Sequence, residues 1–77
     1  MEKLNQILAK VLEIDPNSIT DLTSPENTPS WDSFNGLLLI TELEKGFEVK
    51  FTIDEVVAVK NVGDIKKALK RQGVKLD

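Results

Sequence analysis

DSFNGLLLITELEKGF, residues 32–47, is the stretch whose reading decides the fold. Phe34, Leu37, Ile40, Leu43 and Phe47 recur at steps of three and four, the spacing of one face of an α-helix. Asp32 or Ser33 can cap its start, because a short side chain bearing oxygen accepts from backbone N–H groups that the first turn leaves unpaired. Gly46 is a natural stop. The spacing predicts a helix over about residues 33–46. Leu37 to Ile40 is an apolar run of four that cannot all face one side. Leu37 and Ile40 are assigned to the core stripe, Leu39 to its edge and Leu38 to the outside.

Upstream, Leu4, Ile7, Leu8, Val11 and Leu12 form a second helical stripe, predicting a helix over about residues 2–13. Pro16 is expected to end it, since the residue before proline is pushed out of the helical region. Residues 14–32 are rich in Asp, Asn, Ser, Thr and Pro and read as loop, with Ile19 and Leu22 expected to tuck against the bundle. A loop of that length in so small a domain points to function. Downstream, Val49 to Ile53 alternates apolar and polar residues. A lone strand has no partner, so the segment reads as extended loop. Asp54 is expected to cap a short helix over about residues 54–58, with Val56 and Val59 facing inward. Asn61 is expected to cap a last helix over about residues 61–72, with Asp64 at its third position and Gly73 closing it. Its inner face would be Val62, Ile65, Ala68 and Leu69, and Lys66, Lys67, Lys70 and Arg71 would complement the helix dipole. The fold class is therefore all-α: a small four-helix bundle with a long first loop, in a single domain over residues 1–77.

Composition narrows the function. The chain is 40% hydrophobic and 30% charged, a globular balance. No apolar run approaches the roughly 20 residues that span a bilayer, so no membrane insertion is expected. Met1-Glu2-Lys3-Leu4 lacks the layout of a secretory signal, and the expected location is cytoplasmic. A net charge of −3 argues against nucleic acid as a partner and suits a basic protein surface. The chain has no cysteine and no histidine. It therefore lacks the usual thiol nucleophile, general base and soft metal ligands, and neither catalysis of its own nor a metal site is expected.

The stretch Thr28-Pro29-Ser30-Trp31-Asp32-Ser33-Phe34 concentrates the chemistry. A hydroxyl and a carboxylate stand side by side where the long loop becomes a helix. The free N–H groups and positive dipole end there stabilise an attached phosphate, so a serine is well placed to become a phosphodiester. Its neighbour Asp32 can orient a metal or a proton in a modifying enzyme. The plainer reading of the same pair is an ordinary helix cap.

From Trp31 to Val62 the chain resembles the acyl carrier protein superfamily, which includes peptidyl and D-alanyl carriers. The pattern is Asp32-Ser33-Phe34, then Leu37, Ile40 and Leu43-Glu44-Lys45-Gly46-Phe47, then Val49-Lys50-Phe51, continuing through Asp54-Glu55 and Val59 to Val62. The first helix and the Asp15-Pro16 loop fit as well. The resemblance implies that Ser33 receives 4′-phosphopantetheine from coenzyme A, transferred by a separate Mg²⁺-dependent phosphopantetheinyl transferase, with Asp32 assisting. It implies a non-catalytic, monomeric carrier that holds acyl or aminoacyl groups as thioesters. Its further partners would be an acyl- or aminoacyl-loading ligase, a synthase or a transferase. Fatty acyl, polyketide, aminoacyl and D-alanyl carriers share the scaffold, so the cargo stays open.

Departures from the pattern point to a stand-alone carrier of a specialised pathway. Thr28-Pro29-Ser30-Trp31 precedes Asp32 in place of the commoner Asp-Leu-Gly-x lead-in, Phe34 replaces Leu, and Asn35 and Leu38 stand where acidic residues are usual. Phe34 would cover the base of the arm or fill core. Leu38, one turn from Ser33, is a candidate docking anchor. Trp31 packs as a lid over the core, and its amphipathic ring also suits the arm or a partner. Glu42, Glu44 and Glu48 either meet a basic partner or form a solvated face with Lys45. Val56 and Val59 line an acyl cleft or simply belong to the core. The competing function is an unmodified interaction domain that keeps the carrier fold and uses the second helix only for binding.

Overall fold

A computed structural model describes residues 2–76; Met1, part of the N-terminal reading above, lies outside them. The described residues form helices α1 (Glu2–Leu12), α2 (Ser33–Phe47), α3 (Ile53–Ala58) and α4 (Val62–Arg71), with a 3₁₀ turn at Pro16–Ser18 and no strand. The four-helix reading holds, and the boundaries agree within a residue or two. The core is built from leucines and an isoleucine one turn apart: Leu4, Leu8 and Leu12 of α1 meet Leu39 and Leu43 of α2 and Ile65 and Leu69 of α4. Each such burial contributes about 1.5–3 kcal/mol, and together they fix the phases of the three long helices.

For α2 that phase differs from the expectation. Leu39 and Leu43 are buried, whereas Leu37 is 66% exposed and Phe34 74% exposed. The inner stripe is Gly36, Leu39, Ile40, Leu43, Gly46 and Phe47. Two of those positions are glycine, which carries no hydropathy signal, so the outer series looked the more regular. Gly46 is not a stop. It sits inside α2, where an added Cβ would lie 2.8 Å from Ile7 Cδ1, so its role is close approach to α1.

Helix ends also differ in cause. Glu48 ends α2 in the left-handed region at φ 55°, ψ 50°, and the Val49 N–H reaches back to the Glu44 carbonyl at 3.1 Å. Glu13, at φ 54°, ends α1 the same way, with Ile14 N–H to Ala9 O at 3.2 Å. Pro16 therefore does not end α1; it opens the 3₁₀ turn, with Asp15 as cap. Gly73, at φ 86°, closes α4 as expected.

The cap of α3 is Thr52, not Asp54. Thr52 Oγ1 accepts from Glu55 N–H at 3.1 Å, and a Glu55 carboxylate oxygen accepts from Thr52 N–H at 2.9 Å, a reciprocal capping box. The segment before it is extended, as expected. Glu44 Oε2 accepts from Phe51 N–H at 2.9 Å, and the Gln72 side chain donates to the Lys50 carbonyl.

The long loop is anchored by polar groups rather than by both predicted apolar ones. Ile19 packs against the core, but Leu22 is 76% exposed. The Thr23 and Asp21 carbonyls accept from Val62 and Gly63 N–H at 2.9 and 3.0 Å. These are the first donors of α4, which no intrahelical carbonyl can serve. Lys66 pairs with Asp21, so it is an anchor for the loop rather than a dipole complement alone.

Candidate functional site

Ser33 is the first residue of α2, and the chain leading to it is fixed by short hydrogen bonds. Trp31 N–H donates to Thr28 O at 2.9 Å, closing a turn. Asp32, in extended backbone geometry, caps the helix: its Oδ1 accepts from Asn35 N–H at 2.8 Å. Asn35 Nδ2 in turn donates back to Ser30 O at 2.7 Å. The junction is thus laced on both sides of the serine. Ser33 itself is exposed, and its hydroxyl engages no other group among the described residues. It stands at the positive end of a 15-residue helix, which favours an attached anion.

Beside it opens a groove of about 660 Å³. The loop contributes Pro25 and Trp31, α2 contributes Gly36, Leu37, Leu39 and Ile40, and Val56, Val59 and Ile65 form the far wall. Asp32 and Ser33 close one end. Apart from that pair every lining residue is uncharged and, except for the Trp31 indole N–H, carries no polar side-chain group. The arrangement sets an exposed hydroxyl at the end of an apolar trough. The chain has no histidine or cysteine, and Asp32 Oδ1 is committed to the cap. Among the described residues no group of three or more acidic side chains could hold a metal ion.

Of the residues expected from sequence, Trp31, Asp32, Ser33 and Val56 come together at this groove. Phe34 and Leu38 do not line it; they lie on the exposed face of α2, whereas Leu37, exposed as well, lines the groove. Glu42 belongs to a separate hollow of about 300 Å³ shared with Lys3, Lys10 and other α1 residues. Glu44 holds the Phe51 N–H. Gly36, Ile40, Pro25 and Ile65 were not singled out as site residues. Only Gly36, a glycine interrupting an apolar helix, offered a signal, and it marks the space beside Trp31.

Residues 2–69 match the family described as the phosphopantetheine attachment site. An acyl carrier protein of Brachyspira hyodysenteriae strain WA1 is 34% identical over 68 residues, covering 87% of each chain. A second acyl carrier protein recorded for Brachyspira hyodysenteriae gives the same identity and coverage.

Proposed function

The chain belongs to the acyl carrier proteins, the non-catalytic family with a phosphopantetheine attachment site, and from that premise we propose that Ser33 is its attachment residue. The prosthetic group of the family is covalently bound 4′-phosphopantetheine. The residues fit it: an exposed hydroxyl at a capped helix start receives the phosphate, and an uncharged groove adjoins it. That juxtaposition is the observation that carries the reading. When attached, the group supplies a terminal thiol on a flexible tether, the acyl-bearing sulfur that a chain without cysteine lacks. The protein's own contribution is to hold Ser33 accessible, to favour the phosphate charge through the α2 dipole, and to offer a sheltering groove. Tethering also raises the effective concentration of cargo at a partner's active site.

Asp32 has two tasks in this reading, capping α2 and assisting the transferase. Phe34, Leu37 and Leu38 form an exposed, uncharged face next to Ser33, which supports docking of the transferase and of a loading ligase or synthase through apolar contact. With the Trp31-Asp32-Ser33 lead-in, it favours a stand-alone, monomeric carrier of a specialised pathway, acting in the cytoplasm. Among the described residues no helix is long and apolar enough to cross a membrane. Acyl and aminoacyl cargo both suit the groove.

The test is direct. The purified chain is incubated with coenzyme A, Mg²⁺ and a broad-specificity phosphopantetheinyl transferase, and its intact mass is recorded. Wild type gains one phosphopantetheine group and Ser33→Ala gains none. An unmodified wild type would leave a plain interaction domain as the better account, and a gain that persists in Ser33→Ala would move the site.

A further inference from the structure

Trp31 is the only tryptophan of the chain and is buried to all but 7% of its surface. Its ring belongs to the core, yet core packing does not account for its nitrogen. An indole N–H is a donor that normally finds an acceptor when buried. Among the described residues none takes it. Three acceptors of its own loop are engaged elsewhere: Ser30 O holds Asn35 Nδ2, Asp32 Oδ1 holds Asn35 N–H, and Asn27 Oδ1 serves Ser24 N–H and Thr28 Oγ1. Ser30 Oγ is the one buried side-chain nitrogen or oxygen left without a partner among the described residues. The unbonded indole nitrogen is therefore not sealed from solvent. Its opening is on the groove: Nε1 and Cδ1 lie 3.5 and 3.8 Å from where a Cβ on Gly36 would stand, and Trp31, Gly36 and Ser33 line the same trough. A side chain at position 36 would cover that edge, and glycine leaves it bare.

We propose that the Trp31 indole N–H is a docking donor for the arm, donating a hydrogen bond to an oxygen of the group borne on Ser33 and laying the arm along the groove. This rests on the Ser33 reading. Trp31 is then a positioning residue, and Gly36 is the clearance that lets it act. The donor stands in a groove whose walls, apart from Asp32 and Ser33 at one end, are apolar, conditions that strengthen a hydrogen bond. The arm offers two kinds of acceptor, phosphate oxygens and amide carbonyls, and the recognising chemistry is an oxygen lone pair in either case.

The chain suits a decisive test. One tryptophan gives one indole N–H resonance, and a chain without cysteine makes the arm's thiol the only thiol of the loaded protein. The protein is loaded by the transferase and its mass checked. No gain of mass overturns the Ser33 reading and this proposal with it. Once the mass is gained, the indole N–H resonance is expected to move downfield and its exchange with water to slow. A loaded protein whose indole is unmoved overturns this proposal alone. Gly36→Ala places a methyl in ordinary van der Waals contact with the ring, so it folds, and it reduces the change on loading. Loaded Trp31→Phe keeps an aromatic ring at the site but loses the donor. Its thiol is expected to react with an aromatic disulfide reagent roughly 2–10-fold faster than wild type, the ratio set by one net hydrogen bond. Equal thiol rates also count against the proposal. Loading from a coenzyme A analogue whose amide carbonyls are reduced to methylenes identifies the acceptor: a shift that persists assigns the phosphate, and one that vanishes assigns a carbonyl.

Discussion

The two sides of the groove are held in different ways. On one side, residues 28–36 are bound by hydrogen bonds of 2.7–2.9 Å through Thr28, Ser30 and Asp32, and α2 behind them buries Leu39 and Leu43. On the other side, α3 buries no residue fully. Ile53 and Val57 are 81% and 72% exposed, and of the α3 segment only the half-buried Val56 and Val59 face the groove, beside the buried Ile65 of α4. Burial of apolar area is what ties an element to the global fold, whereas a capping box stabilises a helix only locally. The contrast teaches a division of labour. The Ser33 side is fixed, so a modifying enzyme meets one geometry, and the α3 side is the wall free to adjust to what lies in the trough.

The largest effect should come from the fixed side. Leu43→Ala removes a fully buried side chain between α1, α2 and α4. It is expected to cost about 2–5 kcal/mol of unfolding free energy, read from denaturant midpoints. Val57→Ala on α3 should stay within about 0.5 kcal/mol. If the two substitutions cost the same, α3 is part of the global core and the contrast fails.

Next in size is the cap at the junction. Asp32→Ala removes the acceptor for Asn35 N–H and is expected to cost about 1 kcal/mol, within a range of about 0.5–2. Asp32→Asn retains an acceptor of equal capping strength, so its thermal midpoint should match wild type. Its initial rate of modification should nevertheless fall, because the carboxylate is gone. A rate equal to wild type would reduce Asp32 to a cap and nothing more.

What could be read in the chain follows the same divide. α1 and α4 were legible because their apolar residues stand at helical spacing on otherwise polar helices, leaving one phase to choose. α2 was legible as a helix but not in phase: the run Leu37 to Ile40 admits more than one stripe, and glycine conceals the true one at Gly36 and Gly46. Ser33 and Asp32 stood out because their side chains carry the chemistry. The groove did not, since its lining comes from the long loop, α2, the α3 region and α4, and no single window contains it. Nor could the loop's anchorage be read, because the carbonyls of Asp21 and Thr23 have no side-chain signature. The capping box of α3 was present in Thr52 and Glu55, three apart, but Asp54 offered a competing cap two residues after Thr52.

The smallest effect on stability, and the sharpest on the contrast, is expected from that capping box. Thr52→Ala removes Oγ1 from Glu55 N–H and leaves the Glu55 carboxylate to hold Thr52 N–H alone. If α3 opens independently of the core, losing its cap shifts only the local equilibrium. The global unfolding midpoint then stays within about 0.5 kcal/mol of wild type, while the free energy of local opening drops by about 1 kcal/mol. Amide exchange reads that drop directly. Val56 N–H, bonded to Thr52 O at 3.0 Å, and Val59 N–H, bonded to Val56 O at 3.2 Å, should exchange roughly five-fold faster, while amides around Leu39 and Leu43 keep their rates. Acceleration shared by all of them would mean that α3 and the core open together, and the groove would then have two fixed walls instead of one.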